Sequence, residues 1–430
     1  MYISVKDFGA KGDGVTVDTL AIQKAINETS EKGETLYFPA GTYVTSTLFL
    51  KDFTNIHLSQ KAVIQSVTKA DELSDDIPVV VEAPSFTKCL IYAKGIDNIT
   101  ISGKGKIDGM GQCFPTEPRP MLIRFENCKN ITFTDVFLTN AASWCFHLIL
   151  CEDILMDRVK IYSHAQHNND GFDIDSCKNM RISNCDINTQ DDSICPKSTT
   201  DTLCENITIT GCNIKSDTAA LKLGTSSKTG FRNIVMTGCN IYDCMMGTIK
   251  LLAVDGGIIE NVVISDIAMH NVGSPLFVRL GKRNLSYDIA AEMDHGKGND
   301  RGPARSLIRN VMFTNIVANV NADKIRNPIM ITGLKEKSIE NITISNLDIS
   351  FCGGGTKEDA KNIVDDDPYK YPEQSYFGVL PIWGIYARHV EELNIENVKL
   401  RLLSKDERSA TLFENVTKLQ VFNSKYCDFL

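Results

Sequence analysis

NITFTDVFLTN (130–140), DILMDRVKIYS (153–163), NMRISNCDINT (179–189), NITITGCNIKS (206–216) and NIVMTGCNIYD (233–243) are five renderings of one phrase, with start-to-start steps of 23, 26, 27 and 27 residues. Inside each copy Ile, Val, Thr and Phe alternate with polar residues, and Asn, Gly, Asp or Ser interrupts the run. That is the period-two signature of short strands. A repeat of this length made of strands rather than helices calls for a solenoid, its rungs stacked about 4.8 Å apart. Further copies are DNITISG (97–103), NVVISDIAMHN (261–271), NVMFTNIVANV (310–320), NITISNLDISF (341–351) and LNIENVKLRL (393–402). The expected fold is therefore all-β, a parallel β-helix forming one domain over residues 1–430.

Two cysteine series keep the same register. Cys128, Cys151, Cys177 and Cys204 each stand two residues before the Asn or Asp that opens a strand, and Cys185, Cys212 and Cys239 follow at steps of 27. An interior ladder of small, soft side chains explains them, and the absence of any CxxC pair leaves zinc binding without support. A solenoid end exposes apolar interior and unpaired strand edges, so it needs a cap. TVDTLAIQKAINETS (16–30) reads as that capping helix, starting at Asp18 or Thr19 with Leu20, Ile22, Ala25 and Ile26 apolar, and YFPAGTY (37–43) enters the first turns. Two stretches, about 281–305 and 353–380, break the period; loops this long in a regular solenoid often wall a groove.

The 430 residues are 43% hydrophobic and 23% charged with a formal net charge of −9, which describes an ordinary globular chain with a large core. Without a basic block there is no expectation of nucleic acid as a partner. No run of 18 apolar residues exists, so no membrane-spanning segment is expected. The N-terminal MYISVKDFGAKGDG lacks a basic stretch followed by an apolar run. Reduced thiols, a cytoplasmic location and a monomer or weak oligomer are the corresponding expectations.

Chemistry concentrates in NNDGFDID (168–175) and QDDSICPK (190–197). Asp170 precedes Gly-Phe-Asp-Ile and Asp192 precedes Ser-Ile-Cys-Pro, 22 residues on and in the same phase. Period two sends Phe172, Ile174, Ile194 and Pro196 to the interior. Stacked coils then bring Asp170, Asp191 and Asp192 together at a turn or on the outward face, beside Asn168 and Asn169. Turns favour Asp and Asn in any case, but three acids at one place crowd their charges and hold a proton near neutral pH. Two carboxyl groups flanking a sugar linkage suffice to hydrolyse it, and their separation decides the stereochemistry.

NNDG, then QDDS about one coil later, then Thr248-Ile249-Lys250 on a further coil, in a repeat preceded by DFGAKGDG…AIQKAI and YFPAGTY, resembles glycoside hydrolase family 28, the polygalacturonase-like enzymes. GKGKIDGMG (103–111) and NAASWCFHL (140–148) extend the likeness over nearly the whole chain. The resemblance implies a right-handed single-stranded parallel β-helix and an inverting hydrolase of pectic poly- or oligosaccharides, without cofactor or metal. It makes Asp191 the general acid, Asp170 and Asp192 the holders of the attacking water, Asn168 an aid to their order, and Lys250 the holder of a substrate carboxylate. The chain departs from the family at TAALKLGT (218–225), where Ala219 or Ala220 replaces a histidine, and at Thr248, where an arginine is missing. These losses, with the two insertions, favour attack on chain ends or short oligomers over plain endo-polygalacturonase action.

Further candidates for substrate binding are His147 and His167, Lys222, Arg279 and Arg283 as cations for a uronate, and Tyr371, Glu373 and His389, with Tyr376, Phe377 and Trp383, as a sugar platform. For His147 packing and binding both stay open; for His164 and His167, so does polar turn filler. A β-helical lyase or epimerase, and a non-catalytic carbohydrate-binding β-helix, are the competing readings.

Overall fold

The computed structural model describes residues 2–285, 304–321 and 327–427. The chain comprises two compact units, Met1–Cys195 and Pro196–Leu430. Both are built of windings of a right-handed parallel β-helix, and the strands pair in parallel with the rung above and the rung below. Most of the first insertion, residues 286–303, lies outside the described residues. Among the described residues no helix is long and apolar enough to cross a membrane.

The asparagines that open the repeat explain its regularity. Asn206, Asn233, Asn261, Asn310 and Asn341 all adopt left-handed backbone, φ 51–59°, which Asn tolerates better than other residues bearing a Cβ. From Asn233 onward each side-chain amide donates to the side-chain oxygen of the one before it, at 3.0, 3.2, 3.3 and 3.0 Å. The bend of every coil is thus held by the same residue that makes it. All fourteen cysteines are unbridged, and the two in-register series are buried. Burial and the neighbouring thiols of the ladder push Cys151 and Cys239 well above the ordinary thiol range, as expected of inert interior sulfur.

In the first unit the capping helix α1 spans Thr19–Lys32. Ile22, Ala25 and Ile26 are buried as expected, but Leu20 is 88% exposed. Asp18 stands at the helix start without capping it; its carboxylate instead accepts from the backbone of Lys11 and Gly12, at 2.7 and 2.9 Å. Gln23 ties the helix to the coil, donating to the Phe49 carbonyl and accepting from its N–H.

Four strands of this unit carry the residues of interest: β1 (Cys89–Lys94), β2 (Met121–Glu126), β3 (Phe146–Ile149) and β4 (Phe172–Asp175). Ile91, Ile123, Phe146 and Phe172 stack in register inside the coil. The alternate column, Tyr92, Arg124, His147 and Asp173, must point out of it. All four are nonetheless buried. Residues 67–88 fold over this face, packing Ile77, Val80 and Phe86 against Tyr92, Met121 and Trp144, and the Pro78 carbonyl accepts from Arg124.

The second unit repeats the device. In β5 (Leu221–Leu223), β6 (Gly247–Ala253), β7 (Ser274–Leu280), β8 (Ile329–Thr332) and β9 (Ile382–Glu396) the outward column reads Lys222, Lys250, Phe277, Met330, Tyr386. The second insertion covers it, with Val364, Phe377 and Leu380 packed on Phe277, Met330 and Tyr386.

Candidate active site

The three acids converge. One carboxylate oxygen from each of Asp170, Asp191 and Asp192 lies within 4.8 Å of the others. They are not simply displayed on an outer wall: Asp170 and Asp192 are 3% and 2% exposed, and only Asp191 is half-buried. Backbone pairing sets this geometry. Gly171 N–H donates to the Asp192 carbonyl and Phe172 N–H to that of Ser193, both at 2.9 Å, which locks the rung of Asp170 to the rung of Asp191 and Asp192. Asp192 N–H donates to Asp191 Oδ1 at 2.9 Å, orienting the half-buried acid.

Gly171 is required by this close approach. A Cβ there would stand 2.3 Å from the Ser193 carbonyl oxygen, so Gly171→Ala is expected to destabilise the protein by about 1–3 kcal/mol through overpacking and to lower activity by spreading the acids. A lowered denaturant midpoint together with reduced turnover checks it; a neutral substitution would contradict the stated register.

Asn169, fully buried, is scaffold. Its amide donates to the carbonyls of Ala141 and Ser143, at 3.0 and 2.9 Å, while its oxygen accepts from Gln166 N–H at 2.7 Å. Asn168 takes left-handed backbone and its Oδ1 accepts from Arg119 Nη2 at 3.0 Å. Arg119 was not singled out in the sequence. Buried against the Phe86 ring, it also donates to the carbonyls of Ala142 and His167 and pairs with Glu117, so one guanidinium holds the loop that precedes Asp170. His167 itself is exposed, and His164 contacts Asn188 Oδ1 at 2.7 Å. His147 is 1% exposed, its ring edge-on to Trp144 at 5.1 Å, in register with Asp173. Packing therefore accounts for it, and it is not open to substrate.

The second unit corrects several expectations. Lys250 and Glu373 were read as separate substrate contacts, yet they meet each other: Nζ lies 2.6 Å from Oε2, with side chains 1% and 9% exposed. The lysine's charge is satisfied inside the protein, by an acid of the insertion, where a substrate carboxylate was expected. Arg279, expected to meet a uronate, is 1% exposed and donates to Thr332 Oγ1 and the Asp367 carbonyl; burial lowers its pKa to about 10. Arg283 is committed to Asp255. Both arginines anchor chain segments because a buried guanidinium must find acceptors. His389 is 7% exposed beside Asp366, and Trp383 packs against Phe351 in the core. Tyr371 and Tyr376 are exposed, their rings edge-on to each other at 5.9 Å. Lys222 is half-buried, one rung from Lys250.

Among the described residues two groups have the spacing of a cation site, the three acids themselves and Asp170 with Asp173 and Cys195. Acidic clusters are common without an ion, and the resemblance implies none.

The model of the family "Glycosyl hydrolases family 28" matches residues 30–368. A probable polygalacturonase of Vitis vinifera is 32% identical over 225 residues, 46% of this chain and 44% of that protein. A polygalacturonase of Persea americana is 26% identical over 301 residues, 64% of this chain and 61% of its own length. The chain thus spans about half the length of these curated relatives. Among solved structures, a hyperthermoactive exopolygalacturonase from Thermotoga maritima superposes with a TM-score of 0.69 at 23% identity, covering 92% of each chain. At that identity the likeness is one of fold.

Proposed function

Since the chain belongs to the glycosyl hydrolases of family 28, with more than three quarters of its length matched, we propose that Asp170, Asp191 and Asp192 hydrolyse glycosidic bonds of pectic, uronate-containing poly- or oligosaccharides. The observation that carries this reading is the convergence of three carboxylates with unequal exposure. Asp191, the accessible one, gives its proton to the leaving sugar oxygen as the bond to the anomeric carbon breaks. Asp170 and Asp192, withdrawn from bulk water, hold the attacking water and take its proton, and one proton returns to Asp191 for the next cycle.

Two finer features belong to the proposal. Inversion follows from using a water in place of an enzyme nucleophile. The nearest oxygens, within 4.8 Å of one another, are closer than the roughly 6.5–9.5 Å of most inverting pairs, so the anomeric configuration of the product is the test of this feature. Attack on chain ends is supported by residues 67–88, which pack Ile77, Val80 and Phe86 over the outward face of β1–β3.

Incubation with long homogalacturonan, rhamnogalacturonan and their short oligomers tests the reading. Mono- or disaccharides are expected to appear while viscosity hardly falls, and the first-formed reducing end should carry the anomeric configuration opposite to that of the bond cut. A rapid viscosity loss would contradict end attack, and retained configuration would turn one of the acids into a nucleophile.

A further inference from the structure

In the second unit β10 (Ser409–Phe422) pairs in parallel with β9, and among the described residues no strand pairs with its outer edge. One rung earlier the interior positions Ile385, Ala387, Val390, Leu393 and Ile395 are fully buried. Their counterparts in β10 are Thr411, Phe413, Val416, Leu419 and Val421. Leu419 and Val421 are 39% and 48% exposed. Interior residues of this coil direct their N–H groups to the following rung, as Phe146 does to the Gly171 carbonyl and Phe172 to that of Ser193. The interior residues of β10 therefore aim theirs out of the edge. A long apolar edge of this kind is a template for another strand.

The edge is complementary to itself. When two copies of β10 meet antiparallel with Val416 opposite Val416, Phe413 faces Leu419 and Thr411 faces Val421, interior against interior. Leu412 then faces Gln420, and Glu414 faces Lys418 twice, exterior against exterior. A slip of one residue would set interior positions against exterior ones. The facing interior pairs are also those whose N–H groups point out of the edge, which is the hydrogen-bonded register of an antiparallel pair. The strand bends at Asn415, φ 53°, beside this centre, so a two-fold axis through the corner exchanges its two arms.

We propose that the outer edge of β10 is an interaction surface for a second copy of the chain, joined to it as a two-fold dimer. Charge complementarity selects this partner. Glu414 and Lys418 are 41% and 58% exposed, and their existing contacts, with Tyr386 and Arg388 and with Glu391 and Glu392, all lie on the preceding rung. Opposite charges directly across an antiparallel pair are favourable and like charges are not. A two-fold contact closes on itself, so assembly through it stops at two copies.

Sedimentation equilibrium of the intact protein at micromolar concentrations is expected to give twice the chain mass of 47.6 kDa. Lys418→Glu turns two attractive pairs into two repulsive ones and should raise the dissociation constant about tenfold or more. Adding Glu414→Lys should recover most of that loss. A monomer at every concentration, or a dimer indifferent to Lys418→Glu, would overturn the proposal. Carbodiimide cross-linking of a mixture of unlabelled and 15N-labelled protein needs no variant, and should join Glu414 of one copy to Lys418 of another in mixed-isotope peptides. Mixed-isotope peptides confined to other sites would put the contact elsewhere and overturn it as well.

Discussion

Asp191→Asn is expected to lower kcat by roughly 10³-fold or more, since positioned proton transfer contributes about 10²–10⁴ and the two acids beside it, Asp170 and Asp192, are buried. Asp191 is the most exposed member of the trio, and its Oδ1 accepts from Asp192 N–H. Asparagine keeps that acceptor, so the melting temperature should stay within about a degree. Steady-state rates on a pectic oligomer, measured beside a thermal melt, separate lost chemistry from lost fold. Appreciable residual turnover would reassign the general acid. An equal loss of stability would mean that the side chain is structural.

The second large effect concerns stability. Lys250→Met removes the cation from a buried ion pair and strands Glu373, and breaking such a pair from one side costs about 3–5 kcal/mol. The melting temperature is expected to fall by roughly 10 °C. Adding Glu373→Leu to Lys250→Met should restore most of the loss, because an apolar pair of similar volume costs little or nothing relative to a buried ion pair. Failure of the double variant to recover would mean that the insertion is held chiefly by other contacts, such as the backbone carbonyls bound by Arg279 and Arg388. In the folded fraction of Lys250→Met, cleavage of uronate and of neutral substrates should decline together; a loss confined to uronates would return Lys250 to the substrate.

What the sequence made legible and what it hid divide along physical lines. Periodicity is local, so the alternating strands, the asparagine bends and the cysteine ladders could be read from spacing alone, and stacking then placed Asp170 near Asp191 and Asp192. Burial of those acids was not legible, because what covers a face comes from elsewhere in the chain. Residues 67–88 carry no repeat signal, yet they pack over Tyr92 and Trp144 and take a hydrogen bond from Arg124. Partner choice among long charged side chains was equally hidden. Glu373 reaches Lys250 across 123 positions and Arg119 reaches Asn168 across 49, and no spacing rule links such pairs. For that reason Lys250, Arg279 and Arg283 read as free cations in a string of letters and prove committed in space. Leu20 fails for a simpler reason: helical phase places Ile22, Ala25 and Ile26 on the covered face of α1 and Leu20 away from it.

The central claim, that the trio of aspartates cuts glycosidic bonds by adding water, is tested most directly by following new reducing ends and the ultraviolet absorbance of unsaturated uronates together on pectic oligomers, with Asp191→Asn as control. Reducing ends that accumulate without absorbance, and vanish in the variant, are the predicted result. Absorbance rising in step with reducing ends, or activity indifferent to Asp191, would contradict it.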